Sequence, residues 1–288
     1  MKQEIVTVPR SELESPDAYR ARLEKDLKIA ERVHRSMIPA NQRRGNLEIV
    51  CHFEPMIGVG GDYASVHFQN DQHVVVGICD VAGHGVAAAL LASRVNSFVL
   101  SQAPRVSHPC QLVDSLNDFV CRTFRDTELY LTFFSLFIDL GKQTIVGAGC
   151  GHPPPLLYSQ TRDAIQRLES ENTVIGLFED LSQTCAMLET PFRPGDRVVL
   201  YTDGLTESTN REGLALGVDG LETYVKESAH QSTQDCVEAI RCRVHDFRGG
   251  EPGTDDQLLL AISYLDPNDA SEPTATESAP RPETSTAD

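Results

Sequence analysis

Residues 73–100 read HVVVGICDVAGHGVAAALLASRVNSFVL and contain the two kinds of element on which the fold depends. The apolar, β-branched run at 73–81 is typical of a buried strand. The stretch at 84–100 is apolar nearly all round, which predicts a helix buried between layers. Asp80 stands where this strand would end, next to a glycine-rich turn.

Similar runs along the chain predict a fold rich in antiparallel strands. We expect helices at 109–125 and 232–247, and strands at 47–56, 129–140, 143–150, 154–159, 164–168, 183–192, 196–204 and 257–265. Gly141 and Lys142 are typical of a hairpin turn. Long helices inserted among such strands indicate the α+β class, with two sheets packed face to face and helices outside.

The chain divides into three parts. Residues 1–40 comprise a polar segment and a helix predicted over 17–37, which Pro39 ends. An apolar stripe runs along this helix at spacings of four and three, formed by Leu23, Leu27, Ala30, His34 and Met37. The stripe fits either a helix packed on its own domain or a dimer-forming or signal-receiving helix. Residues 41–266 form the main domain, and the Pro-, Thr-, Ser- and Glu-rich tail at 267–288 is expected to be disordered.

The charge of the chain excludes several classes of partner. Lys and Arg number 25 and Asp and Glu number 42, giving a formal net charge of −17. Such an acidic surface repels nucleic-acid backbones and anionic lipid, so we expect no nucleic-acid or membrane partner. The N-terminus lacks an apolar signal region, and no apolar run has the roughly 18 residues of a membrane helix, which predicts a cytoplasmic protein.

The eight cysteines carry no zinc or redox signature, because no pair has CxxC spacing. Cys51, Cys79, Cys150 and Cys185 lie in apolar runs and are interpreted as small buried hydrophobic residues. A reducing compartment agrees with this interpretation.

Aspartates recur where predicted strands meet glycines or turns. They are Asp62 in GGDY, Asp80 in ICDVAG, Asp203 in YTDG, and Asp255 and Asp256 just before the last strand. A carboxylate at a strand end can project into a cleft, and a neighbouring glycine lets a ligand approach the backbone. Carboxylates, carbonyls and water suit Mg²⁺ or Mn²⁺, so the set predicts a hard-cation site.

Each of these motifs is weak when taken alone. Asp203-Gly204 is also a common turn dipeptide. The GGD of residues 60–62 occurs in diguanylate cyclases, whose signature continues with Glu-Phe, whereas Tyr63-Ala64 follows here. The order of all the motifs along the chain is more informative than any one of them.

The ordered motifs GGDY, DVAGHGVAAALLA, AGCGHPPPLLY, VIGLF, PGDRVVLYTDGLTES and TDDQLLLAI resemble the PPM-type protein phosphatases, and within them the bacterial SpoIIE/RsbU-type serine phosphatases. The resemblance covers about residues 45–265, and IAERVHRSMIP in the preceding helix is similar to the segment that leads into that domain. It implies an αββα sandwich with a metal site at one edge.

The resemblance also implies residue roles around two divalent cations, Mn²⁺ or Mg²⁺. Asp62 would bridge the two ions, and Asp80 would reach one of them, partly through water. Val81 would contribute its backbone carbonyl. Asp203 and Asp255 would be ligands of the second ion.

Other residues are expected to support the site. Gly61, Gly204 and Asp256 would lie behind the ligands. His84 could protonate the leaving serine oxygen, or could make a hydrogen bond at the start of the following helix. His152, in GHPPPLL, is interpreted as a turn residue that fixes the sheet edge, and neither histidine is expected to bind metal.

The implied activity is hydrolysis of phosphoserine or phosphothreonine on a signalling protein, such as an anti-sigma-factor antagonist, by a water that two metals activate. Two alternatives remain: an interaction module of the same fold without turnover, and a hydrolase of a small phosphorylated molecule. One departure concerns the final motif, since relatives read DDxTLL and Leu258 occupies the Thr position here. The lost Thr was expected to remove a hydrogen bond near the site.

Overall fold

The computed structural model describes residues 15–83, 85–125, 130–169, 171–178 and 185–266. Within them, two antiparallel sheets pack face to face with helices outside, as predicted. One sheet has the order β1-β2-β11-β10-β7-β8 and the other β3-β4-β5-β6-β9. The strands are β1 Gln42–Arg44, β2 Leu47–Glu54, β3 Tyr63–Phe68, β4 His73–Val81, β5 Leu131–Asp139, β6 Thr144–Cys150, β7 Leu156–Ser159, β8 Ala164–Arg167, β9 Leu188–Pro191, β10 Arg197–Tyr201 and β11 Gln257–Tyr264.

Helices cover the outer faces of the two sheets, apart from the first helix, which is mostly exposed. They are α1 Pro16–Arg35, α2 Val86–Gln102, α3 Pro109–Thr123, α4 Asp203–Thr206, α5 Gly217–Glu227 and α6 Thr233–Phe247. No helix in the described part of the chain combines the length and the apolar character needed to cross a bilayer.

Three apolar layers hold the sandwich together. Side chains such as Ile78, Phe134 and Leu260 fill the space between the sheets. A second layer lies between α2, α3 and the five-stranded sheet, and a third between α5, α6 and the six-stranded sheet. Because β11 is central and covered on both faces, all of its residues are buried. This explains why its sequence is continuously apolar instead of alternating.

Some elements differ from the sequence-based expectations. β3 and α5 had not been predicted, and of the strand expected at 183–192 only Leu188–Pro191 is extended, with 183 and 184 outside the described residues. α2 is not buried all round, because Val86 and Leu90 are 61% and 65% exposed at its first turns. The helix thus presents an apolar strip to solvent beside the turn that precedes it.

Helix α1 packs on the domain only near its C-terminal end. Its N-cap is Ser15, whose hydroxyl accepts a hydrogen bond from the Ala18 amide. Leu23 and Leu27 of the predicted stripe are 48% and 36% exposed, whereas His34 is 3% exposed. Packing on the chain's own domain therefore accounts for His34 and for the side of Leu27 that faces Gly58, and not for the exposed face at Leu23.

The interpretation of Cys185 as a simple buried residue is wrong, because Cys185 forms a disulfide with Cys110 at the start of α3. Their separation of 75 residues hid this pairing from a search for local motifs. Cys79 and Cys150 are buried as predicted, and Cys51 is partly exposed. The predictions for the tail at 267–288 and for the first 14 residues lie outside the described residues.

Candidate active site

The aspartates singled out in the sequence come together at one edge of the sandwich. Neighbouring antiparallel strands place the end of one beside the beginning of the next, so residues after β4 and β10 meet those before β3 and β11. A pocket of about 490 Å³ opens there. It is lined by Met56, Asp80, Val81, Ala82, Gly83, Tyr130, Thr132, Asp203, Thr254 and Asp255.

Asp62 lies at the bottom of this edge, 2% exposed, just before β3. The Thr202 hydroxyl donates a hydrogen bond of 2.6 Å to its Oδ2 atom. Burial raises the pKa of Asp62 well above its usual range, and the nearby Asp80 carboxylate raises it further. The folded chain therefore keeps a carboxylate in a place where its negative charge is poorly compensated.

The carboxylates nearer the surface repel one another. Burial, followed by the charges of Asp203 and Asp255, raises the pKa of Asp80 to about 7. The pKa of Asp203 is also raised, first by burial and then by Glu207 and Asp255. Oxygen donors that raise one another's pKa in this way match the chemistry of a divalent-cation site.

The carboxylates surround the pocket without closing on one point. Among the described residues, no three Asp, Glu, His or Cys side chains are grouped closely enough to hold an ion as they stand. The donors fit a hard cation by their chemistry, and binding one would require the side chains to turn inward.

Asp256 supports the site from behind. Its Oδ1 atom accepts a hydrogen bond of 2.8 Å from the Met56 amide, and its Oδ2 atom accepts one of 2.8 Å from the Gly61 amide. These bonds tie the loop that leads into Asp62 to the loop that leads into β11. Asp256 is 4% exposed and does not line the pocket. Its carboxylate therefore contributes by holding backbone amides of the loop before Asp62.

Two glycines permit the close packing behind the aspartates. A Cβ atom at Gly61 would lie 2.8 Å from the Val81 carbonyl oxygen, and one at Gly204 would overlap the backbone carbonyl oxygen of Asp256. Neither place has room for a side chain, because the neighbouring atoms belong to backbone. The Val81 carbonyl thus lies close to the loop that carries Asp62.

Leu258, at the position of the departure, does not line the pocket. Leu258 is fully buried in the layer between the sheets. Its amide donates to the Thr202 hydroxyl at 3.0 Å, so Thr202 is held by the backbone at this position. The neighbouring Gln257 donates from Nε2 to the Gly204 carbonyl at 2.9 Å, which also fixes the Asp203 turn.

His152 joins the two sheets behind the pocket. Its Nε2 lies 3.0 Å from the Tyr201 carbonyl, to which it donates, and its Nδ1 accepts from the Thr132 hydroxyl at 2.8 Å. Burial lowers the pKa of His152 to about 3, so the ring is neutral. This geometry agrees with a residue that fixes the sheet edge. His84 lies outside the described residues.

Several residues at the site were not identified from the sequence. Thr202 precedes Asp203 directly, and its place after a buried strand was the available signal. Tyr130 and Thr132 flank the start of β5 and line the pocket, although nothing in the pattern of that strand marks them. His34 had been noted only as one position of the stripe along the predicted helix, because its partner Gly60 is 26 residues away.

Comparison with known proteins identifies the family of the chain. Residues 70–265 match the family model for Stage II sporulation protein E (SpoIIE), and Asp62 and α1 precede the matched range. The chain is 27% identical over 221 residues to phosphoserine phosphatase RsbU and 25% identical over 195 residues to phosphoserine phosphatase RsbP, both of Bacillus subtilis. These alignments cover 76% and 66% of this chain, and 64% and 47% of the relatives.

Solved structures share the fold at low sequence identity. The SiaA-PP2C domain of Pseudomonas aeruginosa superposes with a TM-score of 0.75 at 20% identity, over 86% of this chain and 99% of that one. A structure of RsbX in complex with magnesium gives 0.59 at 14% identity, over 77% and 98%. Since the SpoIIE model covers more than half of the sequence, the chain belongs to the SpoIIE family and carries a PPM-type phosphatase domain.

Proposed function

We propose that this chain is a metal-dependent protein serine/threonine phosphatase. The observation that carries the proposal is the pocket at the edge of the sandwich, where Asp80, Asp203 and Asp255 face a cavity of about 490 Å³ and Asp62 lies buried behind them. The raised pKa values of Asp62, Asp80 and Asp203 support a site built to receive positive charge.

Asp62, Asp80, Asp203, Asp255 and the Val81 carbonyl would hold two divalent cations, Mn²⁺ or Mg²⁺. When bound, such ions supply positive charge to phosphate oxygens and lower the pKa of a coordinated water to near neutrality. The magnesium complex of RsbX, which has the same fold, supports this choice of cation.

The chain's own residues would orient these donors. Thr202 donates to one oxygen of Asp62 and so fixes the carboxylate. Asp256 fixes the loop before Asp62, and Gln257 fixes the turn that carries Asp203. His84 remains a prediction, either as the group that protonates the leaving serine oxygen or as a helix-start residue.

A protein substrate agrees best with the surroundings of the pocket. Met56 and Tyr130 line it and are each 44% exposed, and the exposed strip of Val86 and Leu90 begins three residues after Gly83, another lining residue. Exposed apolar side chains beside a polar pocket are typical of a surface that binds another protein. The similarity to the phosphoserine phosphatases RsbU and RsbP supports a phosphoserine substrate, and the family resemblance implies a signalling protein such as an anti-sigma-factor antagonist.

The exposed face of α1 supports a weak homodimer. Tyr19, Leu23 and Leu27 follow one another at four-residue spacing, and each is at least 36% exposed. Pairing two such helices would bury a few apolar side chains per chain, at roughly 1.5–3 kcal/mol each when burial is complete. Since association entropy offsets most of this gain, we expect a dissociation constant near the micromolar range.

Hydrolysis assays separate the proposed function from its alternatives. The purified chain is incubated with a phosphoserine peptide, p-nitrophenyl phosphate and small phosphorylated metabolites, with Mn²⁺ or with EDTA. The proposal expects Mn²⁺-dependent release of phosphate, fastest from the peptide or a phosphoprotein. Faster turnover of a metabolite would favour the small-molecule hydrolase, and no release from any substrate would favour the interaction module.

A further inference from the structure

His34 is the buried residue of a mostly exposed helix. It is 3% exposed, and its ring lies beside Phe53 with the two centroids 5.1 Å apart. Its Nε2 atom lies 2.8 Å from the Gly60 carbonyl oxygen, so it must carry the proton and donate. Leu27, two turns earlier, lies against Gly58 in the same loop.

The hydrogen bond from His34 reaches one end of a peptide unit whose other end is also held. The Gly60 carbonyl and the Gly61 amide belong to the same planar peptide group. His34 donates to the carbonyl at 2.8 Å, and Asp256 accepts from the amide at 2.8 Å. This peptide lies one residue before Asp62, so holding it at both ends restricts the position of Gly61 and of the backbone that leads into Asp62.

Packing alone does not explain a histidine at this position. The Nδ1 atom of His34 is buried and has no hydrogen-bond partner among the residues that the structure describes. A buried polar atom without a partner costs free energy, and an apolar residue of similar size would avoid that cost. The bond from Nε2 is therefore the feature that distinguishes this side chain from an apolar one.

We propose that His34 is a positioning residue for Asp62. It acts through the Gly60–Gly61 peptide, and by this bond helix α1 contributes directly to the geometry of the metal-ligand loop. This role of His34 rests on the proposed function in one respect, namely that Asp62 is a cation ligand. It adds a residue outside the range matched by the family model, 28 positions before that ligand.

Two polar substitutions that differ in side-chain length test this role. In His34→Gln the amide nitrogen can occupy the place of Nε2, whereas in His34→Asn it reaches only as far as Nδ1. Arg32→Ala, on the exposed side of the same helix, is the control. Mn²⁺ affinity of the full-length, metal-free chain is measured by titration calorimetry, and exchange of the Gly61 amide is measured by NMR.

We expect His34→Asn to weaken Mn²⁺ binding about tenfold and to speed Gly61 exchange, because a buried carbonyl loses its donor. The Mn²⁺ affinity of His34→Gln should remain within about threefold of the wild-type affinity, and that of Arg32→Ala should equal the wild-type affinity. Equal Mn²⁺ affinity in all four proteins, or equal loss in His34→Gln and His34→Asn, would overturn the proposal. Both readouts are independent of turnover, so a wild type that binds Mn²⁺ and hydrolyses nothing would refute the proposed function and leave this test intact.

Discussion

Thr202 and Asp62 join the two sheets at the edge where the pocket opens. Thr202 follows β10 of the six-stranded sheet and Asp62 precedes β3 of the five-stranded sheet. The bond of 2.6 Å between the Thr202 hydroxyl and Asp62 Oδ2 crosses from one to the other. The same hydroxyl accepts from the Leu258 amide, so one side chain links the buried carboxylate to the centre of the second sheet.

Replacing Thr202 with Val should therefore affect both the fold and the site. Val is similar in shape but cannot donate to Asp62 or accept from the Leu258 amide. We expect a loss of about 1–3 kcal/mol in the free energy of unfolding and a clear fall in Mn²⁺-dependent phosphatase activity. Denaturant unfolding and a phosphopeptide assay measure the two effects.

Thr202→Ser is the matched control, because it keeps the hydroxyl and removes one methyl group. It should retain most of the activity. If Thr202→Val and Thr202→Ser behave alike, the hydrogen bond to Asp62 has no part in the site.

The raised pKa of Asp80 predicts how the stability of the metal-free protein depends on pH. The folded pKa is about 7, whereas an unfolded Asp titrates near its usual value of about 3.9. Between these values the folded state binds more protons, so this residue lowers stability as pH rises from about 4 to 7. Asp80→Asn should remove this contribution and raise the melting temperature at pH 8 more than at pH 4.5.

Comparing Asp80→Asn with wild type separates the effect of Asp80 on stability from that of the histidines. The lowered pKa values of His34 and His152 act in the opposite direction, since they reduce stability as pH falls below about 6.5. Both are present in wild type and in Asp80→Asn, so their effect cancels in the difference. A difference in melting temperature that is the same at pH 4.5 and pH 8 would show that Asp80 titrates normally.

The exposed stripe of α1 predicts a concentration-dependent dimer. We expect wild type to show a monomer–dimer equilibrium by sedimentation, with a dissociation constant near the micromolar range. Leu23→Asp should shift it to monomer, because a charge on the paired face would be desolvated. Lys28→Asp, elsewhere on the helix, is a control for added charge. If wild type and Leu23→Asp are both monomeric at high concentration, the homodimer is refuted.

The sequence was most informative where periodicity and motif order were strong. The strand at 73–81 and the helix at 109–125 were predicted almost to the residue, because the strand is almost continuously apolar and buried on both faces, and the helix buries one apolar face. The hairpin of β5 and β6 was predicted from its turn residues Gly141 and Lys142, whereas the strand order of the two sheets was not predicted. β3 was missed because its short run YASVHF mixes apolar and polar residues and gave no clear alternation.

Side-chain contacts between distant segments could not be predicted. The pairing of Cys110 with Cys185 and the contact of His34 with Gly60 depend on how separate elements pack, and neither leaves a local pattern. The exposure of Val86 and Leu90 contradicts the expectation of a fully buried helix for a related reason. An apolar face that remains open to solvent has the same sequence pattern as one covered by another layer.

The central claim is that the four aspartates form a cation site for phosphate hydrolysis, and Asp62→Asn tests it most directly. Asn keeps the size of the side chain and removes the charge. We expect the variant to keep less than about a tenth of wild-type Mn²⁺-dependent activity toward a phosphoserine peptide, because loss of a metal ligand removes several kcal/mol of transition-state stabilisation. Its metal-free melting temperature should be unchanged or higher, because repulsion among the carboxylates is relieved. An Asp62→Asn protein that is folded and retains wild-type Mn²⁺-dependent activity would contradict this account.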